Sequence, residues 1–114
     1  LRQEPKPLRR LTTADSVHVP SIVLGELYYG AYKSALVAQN VAKADLVARD
    51  NTILACDAAT ARVYGAIKAD LRAKGQPIPD NDMWIAALAM QHQLTLLTRD
   101  AHFERIESLA LERW

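Results

Sequence analysis

Three carboxylates stand at places that ordinary surface charges seldom occupy. Glu26 lies in Ile22-Val23-Leu24-Gly25-Glu26-Leu27-Tyr28-Tyr29-Gly30, among apolar and aromatic neighbours. Flanked by Leu27 and Tyr29, it is expected to be partly buried, and an unpaired buried charge is costly enough to demand a partner or to neutralise itself. A pairing with a nearby Arg or Lys, or a place on the polar stripe of an amphipathic helix, accounts for it equally well. Asp82 falls in the first turn of a helix expected over 81–91. An acid there also serves simply to stabilise the helix dipole, by about 0.3–1 kcal/mol. Asp100 closes Leu97-Thr98-Arg99-Asp100 at the carboxyl end of an apolar strand, where α/β folds place catalytic groups. It could equally be a turn residue or the N-cap of a helix carrying Phe103. Singly, none of the three is specific. Brought together, they would repel one another until a cation offset the charge, and oxygen-only ligands select hard ions such as Mg²⁺ or Mn²⁺. Such ions activate water and stabilise charge building on a phosphoryl group, which is the logic of metal-dependent nucleases.

The elements that must position these acids can be read from the pattern. Pro5 and Pro7 break any helix entering from upstream, and 7–13 reads as a short basic helix with Leu8 and Leu11 inward. Residues 16–19 alternate and are β-branched, a short strand stopped by Pro20, with Ser21 at the N-cap of an apolar-rich helix to about residue 32. A second helix is expected over 34–49, with Leu36, Val37, Val41, Ala44 and Val47 on one face, followed by a strand at 52–55. The clearest helix is 58–74: Val63, Ile67 and Leu71 recur at i+4 spacing and Gly75 supplies the stop. Asp80 or Asn81 is expected to cap the next helix, whose buried stripe is Ile85, Leu88 and Ala89. An almost wholly apolar strand at 94–98, a short helix around 102–106 and a last strand around 109–112 complete the chain. Strands separated by helices predict an α/β layer fold with a parallel sheet.

Composition narrows the function. With 114 residues, 14 basic against 13 acidic and a net charge of +1, the chain amounts to a single domain with no general polyanion-binding signature. Any contact with nucleic acid must come from a local patch, and Arg2, Lys6, Arg9 and Arg10, against Glu4, form the notable one. Cys56 is the only cysteine, which excludes an intrachain disulfide or a cysteine zinc site and fits a reducing cytoplasm. No apolar run approaches a membrane span, and the first seven residues lack the apolar core of a signal peptide. The start, without an initiator methionine, reads as the remainder of something longer.

The run Val19-Pro20-Ser21-Ile22-Val23-Leu24-Gly25-Glu26-Leu27-Tyr28-Tyr29-Gly30 resembles the second signature block of PIN-domain ribonucleases of the VapC toxin type. The stretch from Gly75 through Pro77-Ile78-Pro79-Asp80-Asn81-Asp82-Met83-Trp84 to Ala89 is similar to their third block. Leu96-Leu97-Thr98-Arg99-Asp100-Ala101-His102-Phe103 resembles the fourth, and a terminal Trp114 is also typical. The resemblance covers essentially the whole chain. It implies a PIN-like three-layer α/β/α sandwich around a mostly parallel sheet. It also implies a toxin that cuts structured RNA such as tRNA with Mg²⁺ or Mn²⁺, with a VapB-type antitoxin as partner and a homodimer as assembly. It carries Glu26, Asp82 and Asp100 over as metal-site acids and leaves Asp80 as a cap. Thr98, more than Ser21, is expected to touch the site, and Arg99 either offsets phosphate charge or is solvent-exposed. An apolar groove for the antitoxin's helix would be walled by Leu24, Leu27, Tyr28, Leu36 and Val37, or these form the core.

One departure matters. Members of the family open with a strand ending in Asp-Thr-Asn, whose aspartate is the first metal-site acid, and no such strand occurs here; Asp15 precedes its strand and is no substitute. In the family that strand is central, so its two neighbours are expected to expose backbone and apolar flanks. Two readings therefore stay open: a metal-dependent endoribonuclease, or a catalytically incomplete module that binds an antitoxin or dimerises without cleaving RNA. A phosphatase-like or receiver-like domain is weaker, because it does not explain Glu26 followed by Tyr28, Tyr29 and Gly30. His18, His92 and His102 lack paired spacing and read as packing or surface residues. Tyr28, Tyr29 and Tyr64 read as packing residues before base-stacking ones.

Overall fold

A computed structural model describes residues 10–12 and 17–113. Five strands form one sheet in the order β3-β2-β1-β4-β5. They are β1 (Arg10–Thr12), β2 (Val17–Pro20), β3 (Thr52–Leu54), β4 (Thr95–Leu97) and β5 (Leu111–Glu112). The helices are α1 (Ser21–Tyr32), α2 (Val37–Asp50), α3 (Ala58–Ala73) and α4 (Asp80–Gln91), with a 3₁₀ helix over Ala101–Arg105. The α/β reading holds, and most elements lie within a few residues of where periodicity puts them.

The centre of the sheet departs from expectation. Residues 10–12 are a strand, not part of a basic helix over 7–13, of which 7–9 and 13 lie outside the described residues. This strand lies between β2 and β4 and is antiparallel to both, with Leu11 opposite His18 on one side and Leu96 on the other. The two outer pairs, β2 with β3 and β4 with β5, are parallel, so the sheet is mixed. The backbone edges of β2 and β4 that face the centre of the sheet, expected to lie open, are thereby paired. Unpaired N–H and C=O groups in the middle of a sheet cost more than a three-residue helical preference is worth, so pairing overrides it.

Two helix entries also differ. Pro20 and Pro79 occupy the N-cap positions of α1 and α4, with ψ of 140° and 144° and no side-chain cap bond. Ser21 and Asp80 are therefore the first residues inside their helices, and neither they nor Asn81 is the cap. Proline presets the extended entry, so no capping side chain is needed to turn the chain. By contrast, α3 opens on a full capping box: Asp57 accepts from the Thr60 N–H while the Thr60 hydroxyl accepts from the Asp57 N–H. It stops at Gly75, whose φ of +67° suits a residue without a Cβ.

The core is centred on α4. Ile85, Ala86, Ala87, Leu88 and Ala89 are all 0 % exposed, so the helix is buried all round and not along a stripe. The alanines let α1 and α3 close on its flanks, and Leu96, Phe103, Leu71 and Val23 complete the cluster.

Candidate active site

The topology collects the three acids at one edge. Strands β2 and β4 are both antiparallel to β1, so they run the same way and their carboxyl ends share an edge. Glu26 lies on α1, which leaves β2 directly, and Asp100 follows β4 after two residues. Helix α4 returns into β4 through a turn in which the Leu94 N–H donates to the Ala89 carbonyl at 2.8 Å. Its first turn, with Asp82, therefore lies toward the same edge.

Their environments differ. Asp82 is 5 % exposed, and its Oδ2 lies 2.8 Å from Nε2 of His102. A carboxylate accepts, so the imidazole N–H donates. The ring of His102 is braced by Phe103, with centroids 4.9 Å apart, and Phe103 is itself 0 % exposed. Asp100 is exposed, and its carboxylate makes no cap bond although it precedes the 3₁₀ helix. Its backbone N–H donates to the hydroxyl of buried Thr98 at 3.1 Å, so Thr98 shapes the turn that presents Asp100. Glu26 is exposed, which corrects the expectation of partial burial. Tyr29, one helical turn on, is itself 66 % exposed, and neighbours in sequence splay away at 100° steps. Ser21 is half-buried at the start of α1, and Arg99 is exposed beyond β4.

Oxygen ligands of this kind suit a hard cation. As the side chains lie, however, no three His, Cys, Asp or Glu groups among the described residues are gathered closely enough to hold a metal ion. The donor chemistry fits the ion; an assembled cage is not present among them.

Sequence reasoning passed over His102. Twenty residues and no local period separate it from Asp82, so only its place two residues after Asp100 signalled proximity to the site. Asp80 also has a different task from the expected cap. Its Oδ1 accepts from the Tyr64 hydroxyl at 2.9 Å and from Lys68 Nζ at 3.2 Å. These contacts, Tyr64 foremost, hold its carboxyl below the ordinary range. Tyr64 stacks on Trp84, with centroids 4.0 Å apart and planes within 9°, which bears out packing as its role.

The PIN domain profile matches residues 1–109. Ribonuclease VapC2 of Rickettsia felis is 36 % identical over 108 residues, covering 94 % of this chain and 81 % of the relative. The tRNA(fMet)-specific endonuclease VapC of Shigella flexneri is 35 % identical over 97 residues, covering 84 % and 74 %. Among solved structures, VapBC2 from Rickettsia felis bound to a DNA fragment from their promoter superposes with a TM-score of 0.82 at 37 % identity, over 87 % of this chain and 75 % of that one. Fold, motif order and relatives agree, and the chain belongs to the PIN-domain family, within its VapC branch.

Proposed function

We propose that this chain is the ribonuclease of a toxin–antitoxin pair: an Mg²⁺- or Mn²⁺-dependent endoribonuclease that cuts structured RNA such as tRNA. Glu26, Asp82 and Asp100 are its acids, and a VapB-type antitoxin is its partner. The observation that carries the reading is the buried, His102-held Asp82 at the sheet edge to which Glu26 and Asp100 also belong. The similarity to ribonucleases and to toxin–antitoxin complexes supports it. A divalent ion, when bound, activates water and offsets charge on the phosphate. The chain's own residues hold the framework. His102 fixes the carboxylate plane of Asp82, Thr98 fixes the turn before Asp100, and α1 carries Glu26 out from Pro20. Tyr29, Tyr32, Leu36 and Val37 leave exposed apolar surface on the α1–α2 pair, which suits a helix-in-groove partner, and the same surface suits a homodimer.

The test is cleavage of a tRNA pool with and without Mn²⁺, comparing the chain with Asp82→Asn. Metal-dependent cleavage abolished by Asp82→Asn is the expected result. A melting temperature raised by millimolar Mn²⁺ in the unaltered chain only should accompany it. That no three acids at this edge are gathered into a metal cage among the described residues favours the second reading, a module that binds the antitoxin without cutting RNA. Antitoxin binding with no cleavage under any metal would establish that reading instead.

A further inference from the structure

A cleft of about 530 Å³ opens between the end of α3 and the start of α4. Its buried lining is apolar, with Leu71 at 1 %, Met83 at 4 % and Ile78 at 7 % exposure, while Lys68, Arg72 and Asp80 stand at the solvent side. An apolar floor with a few polar groups at the mouth is the usual construction of a ligand site, and the volume lies in the usual range.

The charges at the mouth are unequally used. Lys68 is held by Asp80 at 3.2 Å, and Lys74 nearby is held by Asp70 at 2.8 Å and Glu107 at 3.0 Å. Arg72 makes no ion pair among the described residues and is exposed. A second guanidinium stands close by, because Arg105 Nη1 donates to the carbonyl of Pro77, a lining residue, at 2.9 Å. Arg105 belongs to the 3₁₀ helix that also carries His102. The cleft and the candidate site thus share two elements: Asp80 and Met83 line the cleft, and Asp82, in the same turn of α4, meets His102.

We propose that this cleft is a subsite for a single-stranded nucleotide of the RNA substrate, with Arg72 holding a phosphate and the base resting against Leu71, Ile78 and Met83. The assignment rests on the ribonuclease reading above and deepens it. Charge contacts to the backbone combined with contacts to the faces of the bases, most often by aromatic side chains, hold single strands without strict sequence preference; here the base contacts fall to aliphatic side chains. The two guanidiniums of Arg72 and Arg105 favour RNA over an apolar peptide, and Asp82, on another face of the same first turn of α4, keeps the cleft at the end of the helix that carries the candidate site. The Lys68–Asp80 pair acts as a brake: Asp80 neutralises one cation and repels phosphate.

The experiment measures binding of a labelled single-stranded oligoribonucleotide across a salt series, together with cleavage by the full chain. Arg72→Glu should weaken binding about tenfold or more and flatten the dependence of log Kd on log salt by about one. It should raise KM with little change in kcat. Asp80→Asn, which releases Lys68, should tighten binding, so the two variants move in opposite directions. Arg62→Ala, an exposed cation higher on α3, should leave Kd unchanged, and Arg72→Ala should leave the melting temperature unchanged. Equal Kd and salt slope for Arg72→Glu and the unaltered chain, in a sample that binds RNA, would overturn the subsite while sparing the ribonuclease reading. Loss of antitoxin affinity in Arg72→Glu with RNA affinity intact would overturn it too, and would assign the cleft to a peptide. Absence of both RNA binding and cleavage in the unaltered chain would remove the ribonuclease reading, and the subsite with it.

Discussion

Replacing His102 with alanine tests the joint on which the candidate site turns. The Asp82 side chain is 7 % exposed and that of His102 27 %, with 2.8 Å between Oδ2 and Nε2. Removing the imidazole takes away a donor to a nearly buried carboxylate, and a hydrogen bond to a charged group contributes about 1.5–3 kcal/mol. For a domain of this size that corresponds to a fall in melting temperature of about 6–12 °C, at about 4 °C per kcal/mol. His102→Gln, which can offer an N–H at a similar reach, should recover much of the loss. The decisive assay is a double-mutant cycle with Asp82→Ala, followed by urea denaturation. If the two side chains interact as the geometry states, the coupling energy should be about 1.5–3 kcal/mol, and the double variant should lose far less than the sum of the singles. Additivity within about 0.5 kcal/mol would refute the reasoning, because residues that do not interact add. In the cleavage assay, His102→Ala should lower kcat more than it raises KM, since it loosens Asp82 without touching the cleft.

Leu96 is 0 % exposed in β4, so Leu96→Ala should cost about 2–5 kcal/mol in denaturant unfolding; a loss under 1 kcal/mol would place it outside the core. Asp57 accepts from Thr60 and Gln91, and these bonds, the Thr60 backbone N–H foremost, lower its pKa. Its contribution to stability is therefore present above the unfolded carboxylate pKa and is lost as pH falls through the lower folded value, so an acid titration of Asp57→Asn against the unaltered chain should show the two stabilities converging at low pH. Thr60→Val removes the hydroxyl of the capping box and should destabilise α3 by about 1 kcal/mol, read from the urea midpoint. Gly75→Ala meets no neighbouring atom but must adopt φ +67°, so it should cost about 1 kcal/mol through backbone strain alone.

How much of this protein is written in its sequence depends on how local each determinant is. Helix α3 follows from an i+4 apolar pattern and a terminal Gly75, all within a dozen residues or so of one another, and it is found where they put it; its Asp57 capping box is seen only in the fold. From residue 17 onward the order of strands and helices, the α/β class and the carboxyl-edge position of Asp100 follow equally from runs a few residues long. The family resemblance rests on the same stretches. What the sequence could not decide was settled by partners distant along the chain. Arg10–Thr12 became a central strand because β2 and β4 needed a neighbour. The burial of α4 on all sides depends on α1, α3 and the sheet closing round its alanines. Glu26 is exposed because burial is set by what packs over a residue, and its apolar neighbours in sequence point elsewhere. His102 meets Asp82, and Arg72 and Arg105 flank one cleft, only after a helix, a strand and a 3₁₀ turn have been folded against each other. Propensity and periodicity act over a few residues, whereas hydrogen-bond satisfaction and charge pairing act across space, and that difference in range separates what could be read from what had to be folded.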